Sequence, residues 1–336
     1  MFRQLISAPA LLLIVAVTAI ATQVHSQTTT PLQVGLVFDV GGKGDKSFND
    51  AALAGLHKAE KELGVKGEVR EPGEGAHRES HLRSLSIGKA DLIIGVGFLF
   101  TDEILGIATD FPKKKYACVD FSVGEELPKN LAALTFREEE GSFLVGALAA
   151  LKSTSGKIGF VGGVESPLIK KFEIGYIQGA KHVRPDIEVK ALYAGVSDTA
   201  FKDPQKGKEL ATSLYSSGVD IIYHASGSTG LGVFKAAEEQ KKMAIGVDRD
   251  QSDEAAPGTI LTSMVKNTDE AVFDIIKKTS NGQFETGVVA LGLKEGGVGY
   301  VYNDKNKALI GDAIHDKVET LKQEIISGKI KIKSAP

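Results

Sequence analysis

Three apolar runs end in aspartate: Val34–Phe38 in Asp39, Tyr116–Val119 in Asp120 and Met243–Val247 in Asp248. At the carboxyl edge of an open sheet a carboxylate can accept two hydrogen bonds from vicinal hydroxyls, which suits a polyol and disfavours a phosphate. Any one of them could equally cap its own turn. Three at equivalent places favour a shared cleft. Beyond Asp39 the loop Gly41–Asp45 leads to Ser47, Phe48 and Asn49. Phe48 stands between two polar residues and has no apolar neighbour until Ala51, unlike a core phenylalanine, and its ring suits a planar heterocycle. Asn49 offers a donor and an acceptor to the edge of such a base, and Lys266 offers a cation, although a lone lysine is usually a surface residue. Gly227-Ser-Thr-Gly230 opens a helix over Leu231–Glu239, and its free N–H groups suit a ligand oxygen.

An enzyme lacks parts here. His77 and His81 have i, i+4 spacing, but Arg78 stands where a zinc protease needs glutamate. The spacing around Gly227 is neither a nucleophile elbow nor a P-loop. Ser47 has no histidine in its local motif, which leaves only a partner distant in sequence. His224 closes a strand and reads as a satisfied polar group. Val34–Asn49 contains no G-x-G-x-x-G, and Asp39 and Asp45 would repel a pyrophosphate. Neither a cofactor nor catalysis is expected.

The elements that position these residues alternate. Strand, glycine-bearing loop and helix follow one another from Val34, and strand and helix continue to alternate, which predicts parallel sheets with helices on both faces. The second half repeats the plan. Lys157–Val161 echoes Val34–Phe38, Asp220–His224 echoes Asp91–Gly95, and Met243–Asp248 echoes Tyr116–Asp120. Asp91 to Asp120 spans 29 residues and Asp220 to Asp248 spans 28, and Leu134-Thr135 and Leu261-Thr262 follow at similar distances. Two α/β lobes of common architecture account for these echoes. Ser47 or Asn49 is expected to cap the first helix.

The chain has 336 residues, room for two lobes, with 25% charged and 42% apolar residues and a formal charge of −3. Basic residues cluster only at Lys113–Lys115 and Lys329–Lys333, so a nucleic-acid partner gains no support. Residues 1–26 read as a cleavable secretory signal: basic Arg3, an apolar core from Ala8 to Ala21, and Val24 and Ser26 at the −3 and −1 positions. That core is shorter than the ~20 residues needed to span a bilayer. The single cysteine, Cys118, lies in an apolar run and reads as a small buried hydrophobe.

The motif DVGGKGDKSFND at Asp39–Asp50 resembles the signature of the basic membrane protein family of substrate-binding proteins, which are similar to the purine nucleoside-binding components of ABC importers. The resemblance continues through GVGF at Gly95–Phe98, EEGSFLVGALAA at Glu139–Ala150, GSTGLGVFKAAEE at Gly227–Glu239, IGVDRDQ at Ile245–Gln251 and LTSMVKNTDEAVF at Leu261–Phe273. It implies a type I periplasmic-binding-protein-like fold, with two Rossmann-like lobes of parallel sheet joined by a three-strand hinge. The crossings are expected near residues 137, 249 and 290. Residues 34–136 and 250–290 would then form the first lobe, and 137–249 and 291–336 the second.

Residue chemistry and the resemblance together give an expected ligand set of Asp39, Ser47, Phe48, Asn49, Phe98, Asp120, Phe201, Gly227, Asp248 and Lys266; the resemblance implies Asp248 on a ribose, a ligand contact for Lys266, and Phe201 as the second-lobe aromatic opposite Phe48 on a base. The implied partners are a purine nucleoside and an ABC permease and ATPase at the inner membrane, with the receptor a monomer. Many family members carry a lipid-bearing cysteine after the signal, and this chain has none there. An unanchored receptor would be retained only by an outer membrane, which points to the periplasm. A sugar or other small polar metabolite, a signalling subunit with the same fold, and a nucleoside hydrolase are the competing expectations.

Overall fold

The computed structural model describes residues 30–72, 77–124 and 126–334. The expected signal at 1–26 lies outside the described residues. Among the described residues no helix is long and apolar enough to cross a membrane.

The first half runs β1 (Gln33–Val37), α1 (Phe48–Leu63), β2 (Lys66–Arg70), α2 (Arg78–Ile87), β3 (Leu92–Val96), α3 (Thr101–Asp110), β4 (Lys115–Val119) and β5 (Leu131–Phe136). The second runs α4 (Glu138–Lys152), β6 (Lys157–Val164), α5 (Pro167–Val183), β7 (Glu188–Gly195), α6 (Pro204–Ser216), β8 (Ile221–Ala225), α7 (Gly230–Gln240), β9 (Met243–Asp248) and β10 (Ile260–Lys266). The chain closes with α8 (Thr268–Ser280), β11 (Gly287–Leu291), β12 (Val298–Tyr300), α9 (Lys307–Ile310) and α10 (Asp312–Ile326).

Two six-stranded sheets result, ordered β11-β5-β4-β3-β1-β2 and β12-β10-β9-β8-β6-β7. Central strands such as β3 (LIIGV) are buried at every residue, as a sheet covered on both faces requires. The two orders are the same, strand for strand, which the echoes between the halves predict. The edge strand differs: β11 joins β5 in parallel, whereas β12 joins β10 antiparallel, so the second sheet is only mostly parallel.

One boundary departs from expectation. The block 250–290 is expected in the first lobe, but β10 pairs in parallel with β9, Met264 beside Val247 and Val265 beside Asp248. The crossing therefore follows Lys266 rather than residue 249. The physical reason is the repeat itself: β10 is the counterpart of β5, and each fifth strand completes its own sheet before the chain leaves it. After the crossing, α8 packs on α1 so closely that a Cβ on Gly55 would lie 2.3 Å from the Asp269 carbonyl oxygen. The other crossings lie between β5 and α4 and between β11 and β12.

In the second lobe α4 and α5 meet backbone to backbone. A Cβ on Gly179 would lie 1.9 Å from the Phe143 carbonyl oxygen, so only glycine permits the contact. This packing fixes the start of α5, with Leu168, Ile169 and Phe172, at the cleft.

Candidate ligand-binding site

A cavity lies between the carboxyl ends of the two sheets. Nine of the ten expected residues line it: Asp39, Phe48, Asn49, Phe98, Asp120, Phe201, Gly227, Asp248 and Lys266. The tenth, Ser47, touches it indirectly by donating its hydroxyl to the Asp248 carboxylate.

The loop after β1 explains where Ser47 is. Ser47 occupies the N-cap position of α1 but makes no side-chain capping bond. Asp45 does that work, accepting the backbone N–H groups of Ser47 at 2.9 Å, Asn49 at 2.9 Å and Asp50 at 3.1 Å. Neither Ser47 nor Asn49 is the side-chain cap, because a carboxylate two residues upstream reaches the same donors. Burial raises the Asp45 carboxyl above its usual range even though these donors pull it down. Asn49 braces the loop as well: its Oδ1 accepts from Asp39 N at 3.1 Å and its Nδ2 donates to Asp45 at 3.0 Å. Its amide, expected to face a base edge, is engaged by the protein.

The strand-end aspartates are placed alike. Asp120 and Asp248 both take left-handed backbone angles, with φ of 62° and 67°. Aspartate tolerates that region better than most side chains, and such conformations concentrate at functional sites. Asp39 packs against Gly97, where a Cβ would lie 2.3 Å from Asp39 Oδ2, so the glycine at this point of GVGF is required by the carboxylate. Burial pushes Asp39 up to about 7 against the opposing pull of the Val40 N–H and the Arg78 guanidinium. It pushes Asp248 up to about 6 against the Lys266 ammonium and the Ser47 hydroxyl.

Lys266 is no surface residue: it is 2% exposed. Its Nζ lies 2.6 Å from Asp120 Oδ2 and 3.1 Å from Glu138 Oε1. The rings of Phe136, Phe48 and Phe172 surround it at 5.0, 5.1 and 5.4 Å from their centroids. Burial alone would lower the ammonium, but Asp120, Glu138 and Asp248 outweigh it and hold Lys266 protonated. Asp120 Oδ1, by contrast, is buried and has no hydrogen-bond partner.

Phe201 is fixed by its neighbours and is not tucked under its own turn. Thr229 Oγ1 donates to the Ala200 carbonyl at 2.7 Å and Ser228 Oγ to the Phe201 carbonyl at 3.2 Å. Phe201 meets Phe98 of the other lobe edge to face, with centroids 6.4 Å apart. Gly227, at φ 57°, lets the β8–α7 turn pass close to the Phe201 carbonyl. His224 is buried, bonded to Gln251 at 3.2 Å and to Ser226 at 3.3 Å, and burial lowers it to about 4. A neutral imidazole held this way is a structural group.

Sequence reasoning missed Leu168, Ile169 and Phe172 of α5, which also line the cavity. The signal was present. Because β6 echoes β1, the helix after β6 stands where α1 does, and its first turns must face the cleft as Phe48 does.

Comparisons with known proteins agree with this geometry. Residues 32–335 match the family model described as ABC transporter substrate-binding protein PnrA-like. The chain is 37% identical to basic membrane protein A1 of Borrelia garinii subsp. bavariensis, over 89% of this chain and 87% of that protein. It is 33% identical to an ABC transporter nucleoside-binding protein, BmpA, of Lactococcus lactis subsp. cremoris, over 94% and 92%. Among solved structures it is similar to an ABC transporter solute-binding protein from Aeropyrum pernix K1, with a TM-score of 0.83, 34% identity and coverage of 90% and 94%. A two-lobed α/β chain whose strand-end carboxylates and facing aromatic rings share one cleft belongs, on these matches, to the PnrA-like family of ABC transporter substrate-binding proteins.

Proposed function

We propose that this chain is the periplasmic receptor of an ABC importer, that it binds a purine nucleoside between its lobes, and that it delivers the nucleoside to a permease and its ATPase. The observation that carries the reading is the unpaired, buried Asp120 Oδ1 in a cavity where Phe48, Phe98, Phe172 and Phe201 supply flat apolar faces. A buried carboxylate oxygen without a partner is costly, and a ligand hydroxyl or ring N–H satisfies it. The rings suit a heterocycle, with Phe48 and Phe201 on its opposite faces, and Asp248 receives the sugar hydroxyls.

Charge favours a nucleoside over a nucleotide. Among the described residues the cavity holds Asp39, Asp45, Asp120 and Asp248, and one lysine, Lys266, which is already matched by Asp120 and Glu138. A phosphate entering there meets excess negative charge without a free cation. The bound receptor acts as a monomer and performs no chemistry on its ligand, and closure of the lobes completes the site.

Isothermal titration of refolded protein with inosine, guanosine, adenosine, cytidine and ribose tests the reading. Heat from the purine nucleosides, weaker heat from cytidine and none from ribose is expected. Heat from ribose alone would replace the nucleoside with a sugar. Chromatography of the same mixtures is expected to show intact nucleoside, and release of free base would mark a hydrolase.

A further inference from the structure

The mouth of the cleft carries a contact that ligand binding does not explain. Arg78, the first residue of α2, is 16% exposed in its side chain and reaches carboxylates on both lobes. Its Nη1 lies 3.9 Å from Asp39 Oδ1 in the first lobe and 3.8 Å from Asp198 Oδ2 in the second, while its Nε lies 3.4 Å from Glu103 Oε1. We propose that Arg78 is a positioning residue that holds the cleft mouth shut by bridging Asp39 and Asp198 across the lobes.

Three features support this. Asp198 opens the short 3₁₀ turn Asp198–Phe201, which is tied to the β8–α7 junction through Thr229, so Asp198 travels with the second lobe. Glu103, on α3, steadies the guanidinium from within the first lobe, so the arginine is aimed before the mouth closes. And Asp39 and Asp198 carry like charges that closure brings together, with Asp198 among the groups that push the Asp39 carboxyl up. Without a cation between them, shutting the mouth meets repulsion. Beside this ionic contact, Phe98 and Phe201 make the apolar one.

The proposal goes beyond the nucleoside reading and is tested without any ligand, so either can fail alone. Spin labels at Lys61→Cys and Ser216→Cys, both exposed at the far ends of α1 and α6, report the separation of the lobes, and the native Cys118 is buried. Pulsed electron-electron resonance on the ligand-free protein is expected to show a short-distance population. Arg78→Gln and Asp198→Asn should each raise the long-to-short ratio by about three- to tenfold. The double variant Arg78→Gln/Asp198→Asn should fall back toward wild type, because the facing charge is gone. Unchanged distributions in both single variants, a wild type with only the long distance, or a double variant that opens as far as the two single changes combined overturns the proposal.

Discussion

The Ser47 hydroxyl at the foot of α1 donates to the Asp248 carboxylate at the end of β9, joining the two lobes through a buried bond. Lys266 and Asp120 make a second link between lobes at 2.6 Å. Each link uses an aspartate that also lines the cavity. Groups that line the cavity are therefore also groups that hold the lobes together, and on the proposed reading this couples occupancy to closure.

On the proposed reading Phe48, which lines the cavity, supplies one stacking face. Phe48→Ala is expected to weaken inosine binding by about 1–3 kcal/mol, the usual worth of a base–aromatic stack. An unchanged dissociation constant in a calorimetric titration removes Phe48 from the site.

Lys266 neutralises a buried acidic group that cannot reach water. Lys266→Met leaves Asp120 and Glu138 facing one another without it, and the loss of one partner from a buried ion cluster costs about 3–5 kcal/mol. Urea unfolding should show a stability loss of that order. A change below about 1 kcal/mol would mean that the carboxylates find protons or another partner.

Protonation links stability and binding with opposite signs. The folded values of Asp39, about 7, and Asp248, about 6, both stand above the ordinary 3.8. The native state thus binds more protons than the unfolded chain between about pH 4 and 7. The stabilisation these two groups give is fully present below about pH 4 and is lost as pH rises through their folded values. His224, lowered to about 4, acts in the other direction and loses its contribution as pH falls through the acid range. Comparing wild type with Asp39→Asn isolates one carboxylate: the melting temperature of the variant should gain on wild type as pH rises from about 5 to 8. Inosine affinity of the wild type should rise over the same interval, because hydroxyl donors need ionised acceptors. A constant melting gap, or an affinity that ignores pH, contradicts this.

Gly97 has a backbone φ of 120° and no room for a side chain beside Asp39. Gly97→Ala is expected to displace the carboxylate and cost inosine affinity about tenfold or more, the worth of a charged hydrogen bond. Circular dichroism should still show the α/β fold. Wild-type affinity in the variant would mean that Asp39 has slack to move.

The sequence was legible where physics is local. Buried strands followed by glycine, aspartate or asparagine mark sheet edges, which places Asp39, Asp120 and Asp248 at the cleft from the sequence alone. What escaped depends on distant partners. Nothing near Ser47 reveals that Asp45 will take its capping role and free its hydroxyl for Asp248, 201 residues away. The resemblance sets the crossing near residue 249, whereas the repeat carries β10 to the end of its own sheet before the chain leaves it. Phe172 reaches the cleft only because α5 occupies, in the second lobe, the place that α1 has in the first. Lys266 illustrates both sides: its position after a buried strand was visible, but its burial beside Asp120 and Glu138 rests on three segments meeting at the crossings.

A crystal structure of the refolded protein with inosine tests the central claim most directly. The expected result places the purine between the rings of Phe48 and Phe201, a ligand donor on Asp120 Oδ1 and the ribose hydroxyls on Asp248. Inosine bound outside this cavity, or inside it with neither ring against the base, would contradict the account.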